Sequence, residues 1–309
     1  MRKFLRSILP VCSFVLVVAF AGCGGSSGQG SGGSSDTAHY AGTYYPIYNS
    51  GAGQWIEPTD SMPFDKVSAI FAAFAHAYPQ GNGAVLAFEQ GQPEEPVRLP
   101  QLAQVARQQN PQIKVFISLG WGKGDWGFIA TDYANQANLF VPSVIQFIRD
   151  NGLDGLDIDD EDIGPGQSSG NITQQQFDGV IANLRAALDA ASGEDGKQYD
   201  LTITPAGNND NTGGLANTQV DAQNAPMFDL INIQSYFNPK WGKRFLRALK
   251  SIQYPPMQIG TGIDTEMTKC APKFPPYQGL AGLFDWNMTA DSTCHDFKYT
   301  RDIARRVGY

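Results

Sequence analysis

Between residues 154 and 161 the chain reads Asp154-Gly155-Leu156-Asp157-Ile158-Asp159-Asp160-Glu161, five carboxylates in eight positions. Leu153, Leu156 and Ile158, set among the acids, favour a strand over a solvated loop. Strand side chains alternate between faces, so Asp157, Asp159 and Glu161 point one way and Leu156 and Ile158 the other. Ionised carboxylates crowded on one face repel, which raises the pKa of at least one. A carboxyl raised towards neutral pH is what a general acid needs, and Glu161 is the candidate. A calcium loop would instead run D-x-[DN]-x-[DN]-G with a distant Glu.

The rest of the composition narrows the chemistry. The 309 residues are 42% hydrophobic, 11% aromatic and 17% charged, as in an ordinary globular protein. Net charge is -8, and no basic stretch resembles a nucleic-acid footprint. His39, His76 and His295 are scattered, and the four cysteines contain no C-x-x-C pair, so no zinc spacing can be assembled. No metal or cofactor is expected.

Elements must position the acids. Apolar, β-branched or aromatic runs at Gly42–Tyr45, Val67–Phe74, Ile113–Leu119, Leu153–Asp159, Leu201–Thr204, Leu230–Tyr236, Gln258–Gly262 and Gly282–Trp286 predict eight strands. Amphipathic helices separate several of them. Phe177, Val180, Ile181, Leu184 and Leu188 line one face of a helix over Thr173–Ala191, where Thr173 and Gln176 make a capping box. Val141, Val144, Ile145 and Ile148 mark another, with Pro142 in its first turn, and Trp241, Phe245, Leu249 and Ile252 a third. Between Tyr48 and Val67 a loop is expected. Alternating strands and helices predict a parallel sheet, and eight units predict closure into an α/β (β/α)8 TIM barrel over residues 39–309. The acid strand is the fourth, which puts its acids at the barrel's C-terminal end.

With its slot fixed, Asp154-Gly-x-Asp157-x-Asp159-x-Glu161 resembles the D-G-x-D-x-D-x-E signature of glycoside hydrolase family 18, which includes chitinases and endo-β-N-acetylglucosaminidases. Further stretches are similar to that family. Ser118-Leu-Gly120-Trp121 resembles its S-x-G-G segment, with Trp121 in place of the second Gly as an extra sugar platform. Phe71-Ala-Ala-Phe74 resembles the aromatic end of strand two, Gln234-Ser-Tyr236-Phe-Asn238 the Q-x-Y-N pattern of small plant-type members, and Gly282-Leu-Phe-Asp-Trp286 the last strand. Strands seven and eight are too close for the α+β insertion of larger members, so an open cleft is expected.

The resemblance implies a retaining endo-glycosidase acting on β-1,4-linked N-acetylglucosamine, in which the substrate's own acetamido oxygen is the nucleophile. Glu161 would protonate the leaving oxygen, Asp159 orient the acetamido N–H, Asp157 modulate the pair and Tyr236 hold the acetamido oxygen. Trp286 would floor the sugar, with Gln234, Phe74, Trp121 and Asn238 also at the substrate. Trp55, Trp126 and the run Asn208-Asn209-Asp210-Asn211 are further sugar-facing candidates, or loop packing. Asp159-Asp160-Glu161 also resembles the ending common in N-glycan endoglycosidases, which keeps that alternative open. A binding-only lectin usually lacks the acid or its partner; both are present here. The implied partner is a saccharide with 2-acetamido sugars.

The N-terminus predicts export. Arg2, Lys3 and Arg6 precede the apolar run Ile8 to Phe20, and Ala21-Gly22-Cys23 resembles a bacterial lipobox. Residues 1–22 then form a lipoprotein-type signal peptide, or a plain one cleaved nearby. Cys23 would carry the lipid, the only membrane attachment expected, and residues 23–38 form a Gly/Ser-rich linker. The exported protein would be an envelope or cell-surface lipoprotein. In an oxidising compartment, Cys270 and Cys294 are expected to pair.

Overall fold

The computed structural model describes residues 40–49, 54–210 and 213–309. Cys23, the signal segment and the linker lie outside the described residues, as does Asn211. The described chain runs β1 (Tyr40–Pro46), β2 (Ala69–Gln80), β3 (Gly83–Phe88), α1 (Glu95–Gln109), β4 (Lys114–Leu119), α2 (Asp125–Ala134), α3 (Phe140–Asp150) and β5 (Gly155–Asp160). It continues with α4 (Gln174–Asp195), β6 (Asp200–Pro205), β7 (Leu230–Ile233), α5 (Pro239–Ser251), β8 (Ile259–Asp264), β9 (Gly282–Trp286), α6 (Met288–His295) and α7 (Lys298–Val307).

All strands but β3 pair in parallel in the order β1-β2-β4-β5-β6-β7-β8-β9, and β9 pairs back onto β1. That closes an eight-stranded barrel with β5 as its fourth strand. The period of two is visible in the packing. Leu156, Ile158, Leu201 and Ile203 face outward into the main core with Phe177, Ile181 and Leu184 of α4, while Tyr44, Phe71, Phe116 and Phe284 fill the interior. The capping box on α4 forms as its sequence requires: Gln176 N–H donates to Thr173 Oγ1 at 3.2 Å, and Thr173 N–H to Gln176 Oε1 at 3.1 Å. Pro142 lies in the first turn of α3, where no intrahelical donor is lost.

Not every crossover is helical. Among its described residues the β1–β2 connection contains a single 3-10 turn, Phe64–Lys66, in line with the expected loop. Among the described residues, 206–229 contain only short 3-10 turns and 265–281 no helix or strand, so the β8–β9 connection carries no α+β insertion. Strand β2 runs past its expected end at Phe74 and pairs antiparallel with β3 beyond the barrel rim, from Ala75↔Phe88 to Gln80↔Gly83. The turn Gly81-Asn82, with Gly81 at φ +58°, is a hairpin signal that the alanine-rich run before it conceals.

Cys270 and Cys294 form a disulfide that ties residues 265–281 to α6, with Cα atoms 5.1 Å apart and a sequence separation of 24. Tyr299 Oη reinforces the join by donating to Cys270 O at 2.6 Å. Closing a loop of this length restricts the unfolded chain by roughly 3 kcal/mol. The double variant Cys270→Ser/Cys294→Ser should therefore unfold at lower urea by about that free energy; an unchanged midpoint would show that the bond constrains nothing.

Candidate active site

The geometry of β5 distributes its acids between two environments. Asp157 is fully buried inside the barrel and accepts four hydroxyl hydrogen bonds: Tyr44 Oη at 2.8 Å, Ser118 Oγ at 2.8 Å, Thr202 Oγ1 at 2.6 Å and Thr204 Oγ1 at 3.1 Å. Burial raises its pKa, and the hydroxyls oppose that rise. Asp159, one pleat nearer the rim, accepts Gln234 Nε2–H at 2.8 Å and shares a hydrogen bond with Glu161. Burial lifts its pKa well above the carboxylate range, and the charges of Glu161 and Asp157 add to the shift. Glu161 stands at the strand's end, where burial pushes it up to about 7. Asp159 and Glu161 therefore titrate together and retain a proton near neutral pH.

Close backbone approach makes this row possible. Gly120 sits at φ +120°, where a Cβ would come within 3.0 Å of Asp159 O. At Gly155 a Cβ would lie 2.0 Å from Asp200 O, so no larger residue can open the acid strand against β6.

Above the acids lies a cleft of about 600 Å³ lined by Asp159, Glu161, Gln234, Tyr236, Trp286, Phe74 and Trp121, together with residues that sequence reasoning did not select. Tyr236 Oη donates to Gln234 Oε1 at 3.0 Å, and Gln234 passes the constraint to Asp159. Trp286 is held by its indole N–H, which donates to Glu266 Oε2 at 3.0 Å, and it stacks on Phe74 at 5.8 Å and 21°. Phe74 is in turn parallel to Tyr48. The cleft stays open: Trp121 and Met267 on its lining are 54% and 64% exposed. The Ala73–Phe74, Gly120–Trp121 and Trp286–Asn287 peptide bonds are cis.

Some expected sugar contacts are not brought to the cleft. Asn238 is the N-cap of α5, its Oδ1 accepting Lys240 N–H and Trp241 N–H; the Asn-Pro pair that opens this helix was the available signal. Trp126 is fully buried against Phe177, ring centroids 5.0 Å apart, and its spacing with Ile129 and Ala130 is that of a core-facing helix. Trp55 leans edge-on against Tyr45 beneath Arg98. Asn209 is committed to Asp160, whereas Asn208 donates to Asp162 and also hydrogen-bonds Glu161, so it does reach the acids. Asp154 lies outside the cleft; burial opposes its ionisation, yet Lys197, Val115 N–H and Arg107 hold its carboxyl below the usual range.

The site also contains residues that sequence reasoning missed. Tyr44 and Tyr48 follow from β1, Phe237 from the end of β7, and Glu266 and Met267 from the loop after β8. Glu266 carried no local signal, because its partners Trp286 and Asn287 are twenty residues away in sequence.

The fold agrees with the comparisons. The sequence model of glycosyl hydrolases family 18 matches residues 41–272. The chain belongs to glycosyl hydrolases family 18. Chitinase A1 of Niallia circulans is 35% identical over 146 residues, 44% of this chain and 20% of the relative. Chitotriosidase-1 of Mus musculus is 33% identical over 131 residues, 41% and 27% respectively. The aligned regions thus span under a third of either curated relative. Among solved structures, the class V chitinase of Nicotiana tobaccum, determined in complex with NAG4, superposes with TM-score 0.66 at 16% identity over 88% of this chain and 99% of that one. A chitinase-like agglutinin from Robinia pseudoacacia gives 0.63 at 17% identity over 86% and 99%. These likenesses reflect the fold.

Asp160, the outward-facing acid of β5, has a structural role. It accepts Asn209 Nδ2–H at 2.5 Å and Gln219 N–H at 2.9 Å, pinning the loop after β6. Asp160→Ala leaves both buried donors without an acceptor and should cost about 2–4 kcal/mol in urea unfolding. Burial raises the folded pKa to about 7, against roughly 4 in an unfolded chain. A raised folded pKa stabilises below the unfolded value, and that contribution is lost as pH rises through about 7. The cost of Asp160→Ala should therefore be larger at pH 5 than at pH 8; the reverse order would contradict the assignment.

Proposed function

We propose that this family 18 member hydrolyses β-1,4 linkages between N-acetylglucosamine units, with retention, through attack by the substrate's own acetamido oxygen. The observation that carries the reading is the pair Asp159 and Glu161, which holds a proton at the base of an aromatic cleft. The carboxyl of Glu161 delivers a proton to the glycosidic oxygen as the C1–O bond breaks. The acetamido carbonyl oxygen bonds to C1, forming an oxazolinium ion whose N–H is held by Asp159. Tyr236, fixed by Gln234, positions that acetamido oxygen, and Trp286 supports the ring from below. Water then attacks C1, returning a proton to Glu161, and the acetamido group is regenerated. Asp157 acts from behind as a fixed negative charge that favours a proton on Asp159.

Among substrates, the chitooligosaccharide reading is better supported than the N-glycan one. Asp160, which pointed to the latter, is turned towards Asn209 and Gln219 and away from the cleft. The lectin reading is weakened because Glu161 and Asp159 both line the cleft.

Glu161→Gln keeps the shape and loses the proton donor, so kcat should fall by at least 10²-fold, the usual worth of a general acid, while oligosaccharide binding persists. In the wild type, kcat/KM should decline as pH rises through about 7, where Glu161 loses its proton. Chitooligosaccharides and a high-mannose glycoprotein assayed side by side would settle the substrate; undiminished turnover by Glu161→Gln would sink the mechanism.

We further propose export and lipid attachment at Cys23, supported by the Ala21-Gly22-Cys23 stretch and the glycine- and serine-rich run that follows it. Cells fed a labelled fatty acid should label the wild-type chain but not Cys23→Ser. Equal labelling of both would place the lipid elsewhere.

A further inference from the structure

The mechanism leaves one buried ionisable pair in the cleft wall unused. His76 and Asp125 are 2% and 0% exposed, with His76 Nδ1 3.1 Å from Asp125 Oδ2. The other oxygen of Asp125 accepts Ala77 N–H at 2.6 Å. The carboxylate is thus fixed by the backbone of the same strand that carries the histidine, and it directs Nδ1–H towards itself. His76 lines the cleft, and its second nitrogen, Nε2, has no hydrogen-bond partner among the described residues.

The position of this ring follows from the strand extension. Ala75 and Ala77 pack into the core, so Phe74, His76 and Tyr78 share the opposite face of β2. Their ring centroids are 6.4 Å apart at each step, close to the roughly 7 Å between alternate strand residues. The row starts at Phe74, stacked on Trp286, and leads away from the carboxylates onto the β2–β3 hairpin. Trp121 and the ion pair between Lys123 Nζ and Glu89 Oε1, 2.8 Å apart, line the same cleft. Lys123 has its counter-charge, Glu89, beside it, while Asp125 does not line the cleft and is turned to Ala77 N–H and His76 Nδ1. Such a surface offers donors and acceptors without net charge, which suits a neutral polyhydroxylated ligand better than an anionic one.

We propose that this hairpin arm is a further sugar subsite, in which His76 Nε2 accepts a hydrogen bond from a hydroxyl of a pyranose unit beyond the one on Trp286. Asp125 is a positioning residue that sets the tautomer. The proposal rests on the reading of the cleft as a chitooligosaccharide site, and the experiment separates the two. With the full chain, kcat/KM is measured for the N-acetylglucosamine hexamer and trimer. In His76→Ala the hexamer-to-trimer ratio should fall about three- to tenfold, mainly through KM, the worth of one neutral hydrogen bond. Asp125→Asn turns an amide N–H towards Nδ1, so nitrogen NMR of the imidazole should show the proton moved to Nε2, with the ratio falling as well. Independently of either variant's folding, titrating Glu161→Gln with hexamer should shift the His76 imidazole resonances more than titrating it with dimer. An unchanged ratio in folded His76→Ala, or resonances that do not respond to hexamer, overturns the subsite and leaves the reaction standing. Failure of the wild type to cleave either oligomer overturns the underlying reading instead.

Discussion

Asp157 is a carboxylate at the centre of a barrel otherwise filled by Tyr44, Phe71, Phe116 and Phe284, with no solvent exposure. Taking such a group from water costs several kcal/mol unless donors replace its hydration. Four hydroxyls from β1, β4 and β6 do so, and each reaches the acid only in one strand register. Ser118 is paired directly with Asp157 across β4–β5, and Thr202 directly across β5–β6. A slip of one residue would turn every one of these side chains to the other face. The acid therefore fixes the sheet as much as the sheet fixes the acid. Hydrogen bonds to a charged group are each worth roughly 1.5–3 kcal/mol, so together they counter much of the burial, which still raises the pKa.

The donors that satisfy Asp157 leave few for the next acid. Besides the hydrogen bond it shares with Glu161, Asp159 takes one from Gln234, and it has an acidic neighbour on either side along the face. Protonation is the cheapest way to relieve that position, and Glu161 is the neighbour through which the proton can leave. The gradient runs from a donor-rich interior to a donor-poor rim within five residues of one strand. Gln234 links it to the cleft wall, because the same amide that donates to Asp159 accepts from Tyr236. The aromatic floor is anchored separately: Glu266 accepts from both Trp286 and Asn287. The loop that carries it is joined to α6 by the Cys270–Cys294 bond.

Sequence periodicity exposed the features that are local. Alternation of Leu156 and Ile158 with Asp157 and Asp159 set the faces of β5, and the Thr173/Gln176 pair marked the start of α4 to within one residue. The barrel followed from counting such units, although among the described residues three of its crossovers lack an α-helix. What stayed hidden depends on distant partners. Alanines at 72, 73, 75 and 77 show no hydrophobic alternation, yet β2 runs on through them into its hairpin with β3. Asn238, Trp121 and Trp126 are all residue types that bind sugars. Only the helix beside Asn238 and the core around Trp126 withdraw those two, while Trp121 stays exposed. Glu266 had no periodic context at all.

Asp160 and Asp159 show how little of this assignment lies in residue type. They are adjacent, chemically identical and both buried, and burial raises the pKa of each. Alternation sends Asp160 to the outer face, where Asn209 and the Gln219 backbone satisfy it and no ligand can reach. Asp159 goes to the inner face, where its neighbours are other acids and the open cleft. A raised carboxyl pKa is therefore not evidence of chemistry by itself. The distinction lies in the partners: amide donors that cannot take up a proton in one case, Glu161 and a bound ligand in the other. By the same criterion His76 falls on the cleft side of β2, since one nitrogen is committed to Asp125 and the other is left for whatever enters.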